Sequence, residues 1–325
     1  MIITQTPLRV SLLGGGSDFP DFYAREPGCV LSATIDKYVN VIVKRRYDNL
    51  IRVGYTRQEI EPEVSLVRHD LVREAMRLTG VERGVEIVTM ADIPSRGSGL
   101  GSSSTVTVGL LHALHVYQGW LPTRAELAAG ACRIELDILG RPSGKQDQYA
   151  AAYGGLRHIR FEGREVRVEH AVSDRAVARR LAERLMLFDT GVARQSADVL
   201  AEQKAHIADR RDSLRRLAGL AMSGLAALRD GRLDDVGGLM HEGWLLKQGL
   251  ASKVTNRAIG GMYSAAREAG AMGGKISGAG GGGFLLLFCP PQRQSDVRQA
   301  LRAWRELEFG LDFEGSIVLL NSRRS

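Results

Sequence analysis

Ser95-Arg96-Gly97-Ser98-Gly99-Leu100-Gly101-Ser102-Ser103-Ser104 stands between an apolar, strand-like run, Val85 to Met90, and a helix-like run, Ser102 to Gln118. Glycines at 97, 99 and 101 let successive backbone N–H groups turn toward one point without interference from a Cβ. The serines at 102 to 104 then open a helix whose unpaired N–H groups and dipole favour an anion. The stretch reads as a phosphate cradle, and a nucleoside triphosphate is its simplest occupant. The other reading, a flexible surface loop, sits poorly with so regular a helix behind it. Two better-known loops are excluded. A Walker A loop needs Gly-Lys-Ser/Thr, whereas Gly101 is followed by Ser102, and the pairs Gly144-Lys145 and Gly274-Lys275 are followed by Gln146 and Ile276. Gly278, Gly280 and Gly283 match the dinucleotide pattern G-x-G-x-x-G, but the apolar run Phe284 to Phe288 replaces the helix start that pattern requires.

Working outward, 325 residues suffice for two lobes sharing a cleft. Lys plus Arg (44) exceeds Asp plus Glu (37) by seven, and the basic residues are scattered, which favours a small anionic ligand only modestly. No basic patch interleaved with aromatics and no zinc spacing points to nucleic acid. Cys29, Cys132 and Cys289 are far apart and odd in number, which argues for a reducing compartment rather than a disulfide framework. No signal-like N-terminus or membrane-length apolar run stands out. The expectation is a soluble, cytoplasmic protein.

Ile2 to Leu13 reads as a strand ending in Gly14-Gly15-Gly16, with further strands at Val39 to Lys44 and Ile51 to Tyr55 and a helix over Ser65 to Thr79 closed by Gly80. Thr123-x-x-Glu126 is a capping box opening a helix expected to reach Leu139. Strands at Leu156 to Phe161 and Val166 to His170 close the first lobe, taken as residues 1–172. The second, 173–325, holds a strand at Leu185 to Phe188, a long helical stretch from Ser196 to Leu228, and helices near 233–250 and 256–268. It ends in KISGAGGGGFLLLF (Lys275 to Phe288), a helix near Ser295 to Leu307 and a strand at Ser316 to Leu320.

Phosphoryl transfer needs a phosphate cradle, a metal ligand, a group that holds or deprotonates the acceptor hydroxyl, and charge compensation. Asp147 is either a general base or orienter, or a helix-capping or surface carboxylate. Glu135 is either a Mg²⁺ ligand acting with a serine from 102 to 104, or part of a solvated helix face beside Arg133 and Asp137. Arg9 lies in the apolar strand Leu8 to Leu13, so it is either paired with an anion, Asp147 or a phosphate, or exposed at a strand end. His112 and His115 lack a third metal ligand and read as core or solvated histidines. Trp244 and Tyr263 read as core, and Lys247, Lys253 and Arg257 as a solvated basic face.

PLRVSLLGGGSDF (Pro7 to Phe19), the loop after Ile93-Pro94 and KISGAGGGGFLLLF together resemble the galactokinase, homoserine kinase, mevalonate kinase and phosphomevalonate kinase superfamily, the GHMP kinases. The resemblance implies a two-lobed α+β fold with ATP and acceptor in the cleft between lobes. It implies that Ser95, Arg96, Gly97, Ser98, Gly99, Leu100, Gly101, Ser102, Ser103 and Ser104 wrap the ATP phosphates. Ser103 and Glu135 would hold Mg²⁺, Asp147 would be the catalytic aspartate, and Arg9 the basic residue beside it. Gly15, Gly16, Ser17 and Asp18, with the loop of Gly278, Ala279, Gly280 and Gly281, would face the acceptor. GGGSD departs from galactokinase's Gly-Glu-His-Thr-Asp, which argues against galactose. GKQDQYAAAYGG (Gly144 to Gly155) and TGVARQS (Thr190 to Ser196) instead resemble the subgroup of heptose 7-phosphate and fucose kinases. That implies phosphorylation of an anomeric hydroxyl, with Arg194, Lys145 and Lys247 as candidates for a substrate phosphate. The expected partners are ATP and a sugar phosphate, with no nucleic acid or membrane; a homodimer, an unphosphorylated sugar and a non-catalytic sugar sensor stay open.

Overall fold

Pro7 interrupts an otherwise strand-forming run at the N-terminus, and the chain accommodates it with a bulge: the pairing of β1 (Ile2–Leu13) with β2 (Gly28–Arg45) shifts register between Pro7 and Leu8. The structure is a computed structural model describing residues 1–93, 97–192 and 196–322. Its other strands are β3 (Ile51–Gly54), β4 (Gln58–Glu61), β5 (Val85–Ala91), β6 (Leu156–Glu162), β7 (Glu165–His170), β8 (Leu185–Asp189), β9 (Gly273–Ile276), β10 (Phe284–Phe288) and β11 (Ile317–Asn321). Its helices are α1 (Pro20–Tyr23), α2 (Asp70–Thr79), α3 (Ser102–Gln118), α4 (Arg124–Cys132), α5 (Gln146–Tyr153), α6 (Arg175–Ala182), α7 (Ser196–Ala205), α8 (Arg211–Arg229), α9 (Leu233–Gln248), α10 (Arg257–Glu268) and α11 (Gln294–Ala300).

The large sheet runs β11-β1-β2-β5-β3-β4, and β2 is long enough to change partners along its length. Residues 28–33 of β2 pair with β6, which carries β7, while residues 39–45 pair with β5. A small antiparallel sheet, β8-β10-β9, forms the rest. Sheets and helices together make the α+β arrangement expected. The first half of β2 is missing from the sequence reading because Gly28 to Ile35 is buried on both faces, which removes the alternation that betrays a strand.

The strand β11 pairs with β1 in the large sheet, and Leu311 bridges to Ile35, so the last residues of the expected 173–325 lobe join the sheet that β1 and β2 build. Two helix expectations are corrected. The helix from the Thr123–Glu126 capping box ends at Cys132 and continues as a π-helical turn, Arg133–Ile138. The long stretch from Ser196 breaks into α7 and α8.

The helix α3 is buried nearly all round, lying on β1 and β2 and flanked by α2, α4 and α5. Its Gly109 sits where a Cβ would meet Thr6 Oγ1 and Val41 Cγ2 at 3.1 Å, so it packs closely on the sheet. On the other side Gly224 of α8 faces Leu13, where a Cβ would come within 2.4 Å of its Cδ1. One core thus includes residues from both halves of the chain, and the N-terminus of α3 is fixed against it.

Candidate active site

The first helical hydrogen bond of α3 runs from Thr105 N to Gly101 O, 2.9 Å, which leaves the N–H groups of Ser102, Ser103 and Ser104 ahead of the ladder. Gly101 holds φ at 78° and sits where a Cβ would press on the Arg9 guanidinium at 3.3 Å, so glycine is required there twice over. The C-terminal loop closes over the same turn, with Phe284 N donating to Ser98 O at 3.3 Å. A cleft of about 330 Å³ opens at this point. Gly97, Ser98, Gly99, Gly101 and Ser102 to Ser104 form one wall, and Leu100 is buried behind them. Ser95, Arg96 and Arg194 lie outside the described residues.

Arg9 is 2% exposed and paired, as its place in an apolar strand demands. Its Nε and Nη2 donate to Asp147 Oδ1 and Oδ2 at 2.7 and 2.5 Å, and its Nη1 donates to Gly99 O at 2.6 Å. One guanidinium therefore fixes both the carboxylate and the glycine-rich loop that opens α3. Asp147, in the first turn of α5, keeps its side chain one quarter exposed toward the cleft. The surface-carboxylate and strand-end alternatives for this pair are both removed.

Glu135 lies in the π-helical turn and is 2% exposed. Its Oε2 accepts from Ser104 Oγ at 3.0 Å and from Gln148 Nε2 at 3.3 Å, whereas Oε1 is buried without a partner among the described residues. Burial pushes the carboxyl up to about 7, against the pull of the Thr107 hydroxyl, Arg141 and Ser104. The serine beside Glu135 is therefore Ser104, not Ser103. The Ser103 hydroxyl faces Arg141, which donates to it and, at 2.8 Å, to Asp70.

On the acceptor side Asp18 is 3% exposed; its Oδ1 accepts from Gly16 N at 2.9 Å and its Oδ2 from Gln146 N at 3.1 Å. Burial raises its carboxyl above the usual aspartate range despite those bonds. Gly15, Gly16, Gly278 and Ala279 line the cleft with it, as does Lys247, which donates to Gly278 O. Four expected acceptor residues do something else. Ser17 spends its hydroxyl on Gly14 O, Cys29 O and Cys29 N, stitching the loop to β2. Lys145 turns its ammonium over the Tyr23 ring, 5.3 Å from the centroid, and does not line the cleft. Gly280 and Gly281 pack on Val254, where Gly281 N donates to Val254 O at 2.6 Å.

The remaining candidates are structural. His112 is buried and bonded to Ser316 Oγ at 2.9 Å, His115 meets Trp120 edge-on, and Trp244 and Tyr263 are core. No cluster of three or more His, Cys, Asp or Glu that could hold a metal occurs among the described residues. The three cysteines are free and buried.

Residues 66–155 match the GHMP kinases N terminal domain and residues 225–307 the GHMP kinases C terminal domain. The chain is 30% identical to D-glycero-alpha-D-manno-heptose 7-phosphate kinase of Campylobacter jejuni, with 96% of both chains covered. It belongs to the GHMP kinase family. Within that family it is also 27% identical to the bifunctional fucokinase/GDP-fucose pyrophosphorylase of Arabidopsis thaliana, over 94% of this chain and 31% of that one. A D-glycero-D-manno-heptose 1-phosphate kinase from Bacteroides thetaiotaomicron superposes with a TM-score of 0.81 at 25% identity, covering 99% of this chain and 100% of that one. As a GHMP kinase it is an ATP-dependent phosphotransferase.

Sequence reasoning missed Ser11, Arg141, Gln146 and Lys275 in and behind the walls of this GHMP kinase cleft. Gln146 and Lys275 sit inside motifs quoted for their glycines and for Asp147, so the motif was visible while the roles of its polar members were not. Arg141 had no signal, because only the fold brings it to Ser103.

Proposed function

We propose that this kinase transfers the γ-phosphoryl group of ATP to the C1 hydroxyl of D-glycero-D-manno-heptose 7-phosphate. The product would be the 1,7-bisphosphate, an intermediate for GDP-heptose and bacterial surface polysaccharide. The observation that carries the chemistry is the Arg9–Asp147 pair, whose carboxylate faces the cleft while its arginine holds the phosphate loop. The substrate rests on the heptose phosphate kinases to which the chain is similar.

In this reading the N–H groups of Ser102 to Ser104 and the dipole of α3 receive the ATP phosphates. Asp147 aligns the anomeric hydroxyl and takes its proton; because that hydroxyl is the most acidic of a sugar, orientation supplies much of the acceleration. Arg9 keeps Asp147 oriented through two parallel hydrogen bonds. Arg141, bridging Ser103 and Asp70, adds positive charge at the phosphate end. The unpartnered Glu135 Oε1 beside Ser104 fits a divalent cation that takes one carboxylate, one hydroxyl and phosphate oxygens. Bound there, Mg²⁺ would supply neutralisation of charge on the transferring phosphoryl group. The reaction belongs in the cytoplasm, and a homodimer is tested by light scattering.

One observation favours a second reading, an unphosphorylated fucose-type sugar: Lys145, a candidate for the substrate phosphate, faces Tyr23 instead of the cleft. ATP consumption with Mg²⁺ on heptose 7-phosphate, mannose, fucose, galactose and mevalonate, followed by ³¹P NMR, decides between them. Turnover confined to the heptose phosphate with a new anomeric phosphate signal is expected. Turnover only on a free sugar replaces the substrate and keeps the mechanism, and none at all favours the sensor.

A further inference from the structure

Gly15 is the one residue of the Gly14–Gly16 bend that is outside the left-handed region, and it lines the cleft. A Cβ built on it would lie 3.2 Å from Ser11 Oγ, 3.5 Å from Gln146 Nε2 and 3.7 Å from Lys275 Nζ. Three polar groups from β1, α5 and β9 thus gather around the bare face of Gly15. All three belong to buried residues, 1%, 9% and 5% exposed respectively.

Two of these groups are poorly satisfied by the protein. Gln146 Oε1 is buried with no hydrogen-bond partner among the described residues. The Lys275 ammonium, with three protons to give, makes a single described hydrogen bond, a long one of 3.4 Å to Ser11 Oγ. Buried polar groups left in this state are costly unless a ligand completes them. The spot offers donors from Lys275 and Gln146 Nε2, and a Ser11 hydroxyl able to donate or accept. A hydroxyl, which donates once and accepts twice, matches that set. A phosphate matches it less well, because Asp18 and Asp147 also face Lys275. Burial and the neighbouring Arg9 lower the Lys275 ammonium to about 8, so it is a donor held at some cost.

We propose that Ser11, Gln146 and Lys275 form a hydroxyl-reading subsite in front of Gly15, which receives the sugar hydroxyl on the carbon next to the one that is phosphorylated. Gln146 directly precedes Asp147 at the start of α5, and both line the cleft. Gly15 then serves as the vacancy that admits this hydroxyl, and Lys275 is a specificity residue. The proposal rests on the sugar-kinase reading above and deepens it.

The test is a steady-state comparison of the accepted sugar with its monodeoxy analogues, on the wild type, Gly15→Ala and Lys275→Met. The wild type is expected to lose at least about a thousandfold in kcat/KM when the hydroxyl next to the reacting carbon is removed, because a site built around a hydroxyl rejects its absence. Gly15→Ala, free of backbone strain, is expected to raise the sugar KM at least about thirtyfold, leave the ATP KM within about twofold, and shrink the parent-to-deoxy ratio to under about tenfold. Lys275→Met should shrink the same ratio. Equal losses on parent and deoxy sugar, or a wild type indifferent to that hydroxyl, overturn the subsite while leaving the kinase reading intact. If the accepted sugar is unphosphorylated, the series is made on that sugar and only the substrate changes. No turnover on any sugar overturns both.

Discussion

Replacing Asp147 by Asn keeps the shape of the side chain and removes one acceptor and the charge. Arg9 presents two N–H donors to the carboxylate at 2.7 and 2.5 Å, so the amide of Asn must turn its NH₂ toward one of them. The arginine is 2% exposed and cannot recruit bulk water in exchange. Losing one charge-assisted hydrogen bond costs about 1.5–3 kcal/mol, and the lost charge pair is discounted because a quarter of the Asp147 side chain is open to solvent. We expect stability to fall by about 2 kcal/mol and Tm by a few degrees, which leaves the protein folded at 25 °C. Turnover should fall about 10²- to 10⁴-fold, equivalent to about 3–5 kcal/mol of barrier. That loss far exceeds anything partial unfolding can produce. ATP affinity, which we propose the N-terminus of α3 sets, should change little. Thermal unfolding, ATP titration calorimetry and single-turnover kinetics read the three quantities separately. Turnover within tenfold of the wild type together with the lower Tm would refute the reasoning and leave Asp147 as the counterion of Arg9.

The buried Glu135 carboxyl, raised from 4.5 to about 7, retains a proton in the metal-free fold where the unfolded chain has lost it. Metal-free stability should therefore fall as pH rises from 4.5 to 7, with a cost on the order of 3 kcal/mol fully present above 7. Glu135→Gln is expected to raise Tm at pH 8, to leave it unchanged near pH 4, and to abolish Mn²⁺ stabilisation; an unchanged Tm at pH 8 contradicts this. Ser104→Ala should weaken activation by Mg²⁺ at least about tenfold and Ser103→Ala much less, since only Ser104 touches Glu135; the reverse order in a Mg²⁺ titration refutes the assignment. Gly144→Ala would put a Cβ 1.9 Å from Asp18 Oδ2 and must displace that carboxylate. The sugar KM should rise at least about tenfold with ATP binding retained, and an unaltered sugar KM shows that Asp18 is not used.

Where the chain's local chemistry was decisive, the reading held. α3 spans the expected Ser102 to Gln118, with glycine at both ends allowing the left-handed turns that bound it. The Thr123–Glu126 capping box is present with both of its hydrogen bonds. Arg9 in an apolar strand called for either an anionic partner or an exposed strand end, and the pairing with Asp147 is the one the structure holds. Glycine motifs, caps and a charge among hydrophobes are properties of a residue and its near neighbours, and these carried the family, the helix start after Gly101 and the central ion pair.

The tertiary structure decided which partners those residues meet. Arg9 and Asp147 are 138 positions apart, and no local preference says that they touch. The π-helical turn that aims Glu135 at Ser104, the return of β11 to β1, the rotation of Lys145 onto Tyr23 and the arrival of Lys275 behind Gly15 all depend on where separate segments cross. Side-chain direction at a crossing is set by packing, a sum over neighbours drawn from the whole chain, and by the desolvation that packing imposes. A sequence displays the residues that must be satisfied; the fold selects the groups that satisfy them.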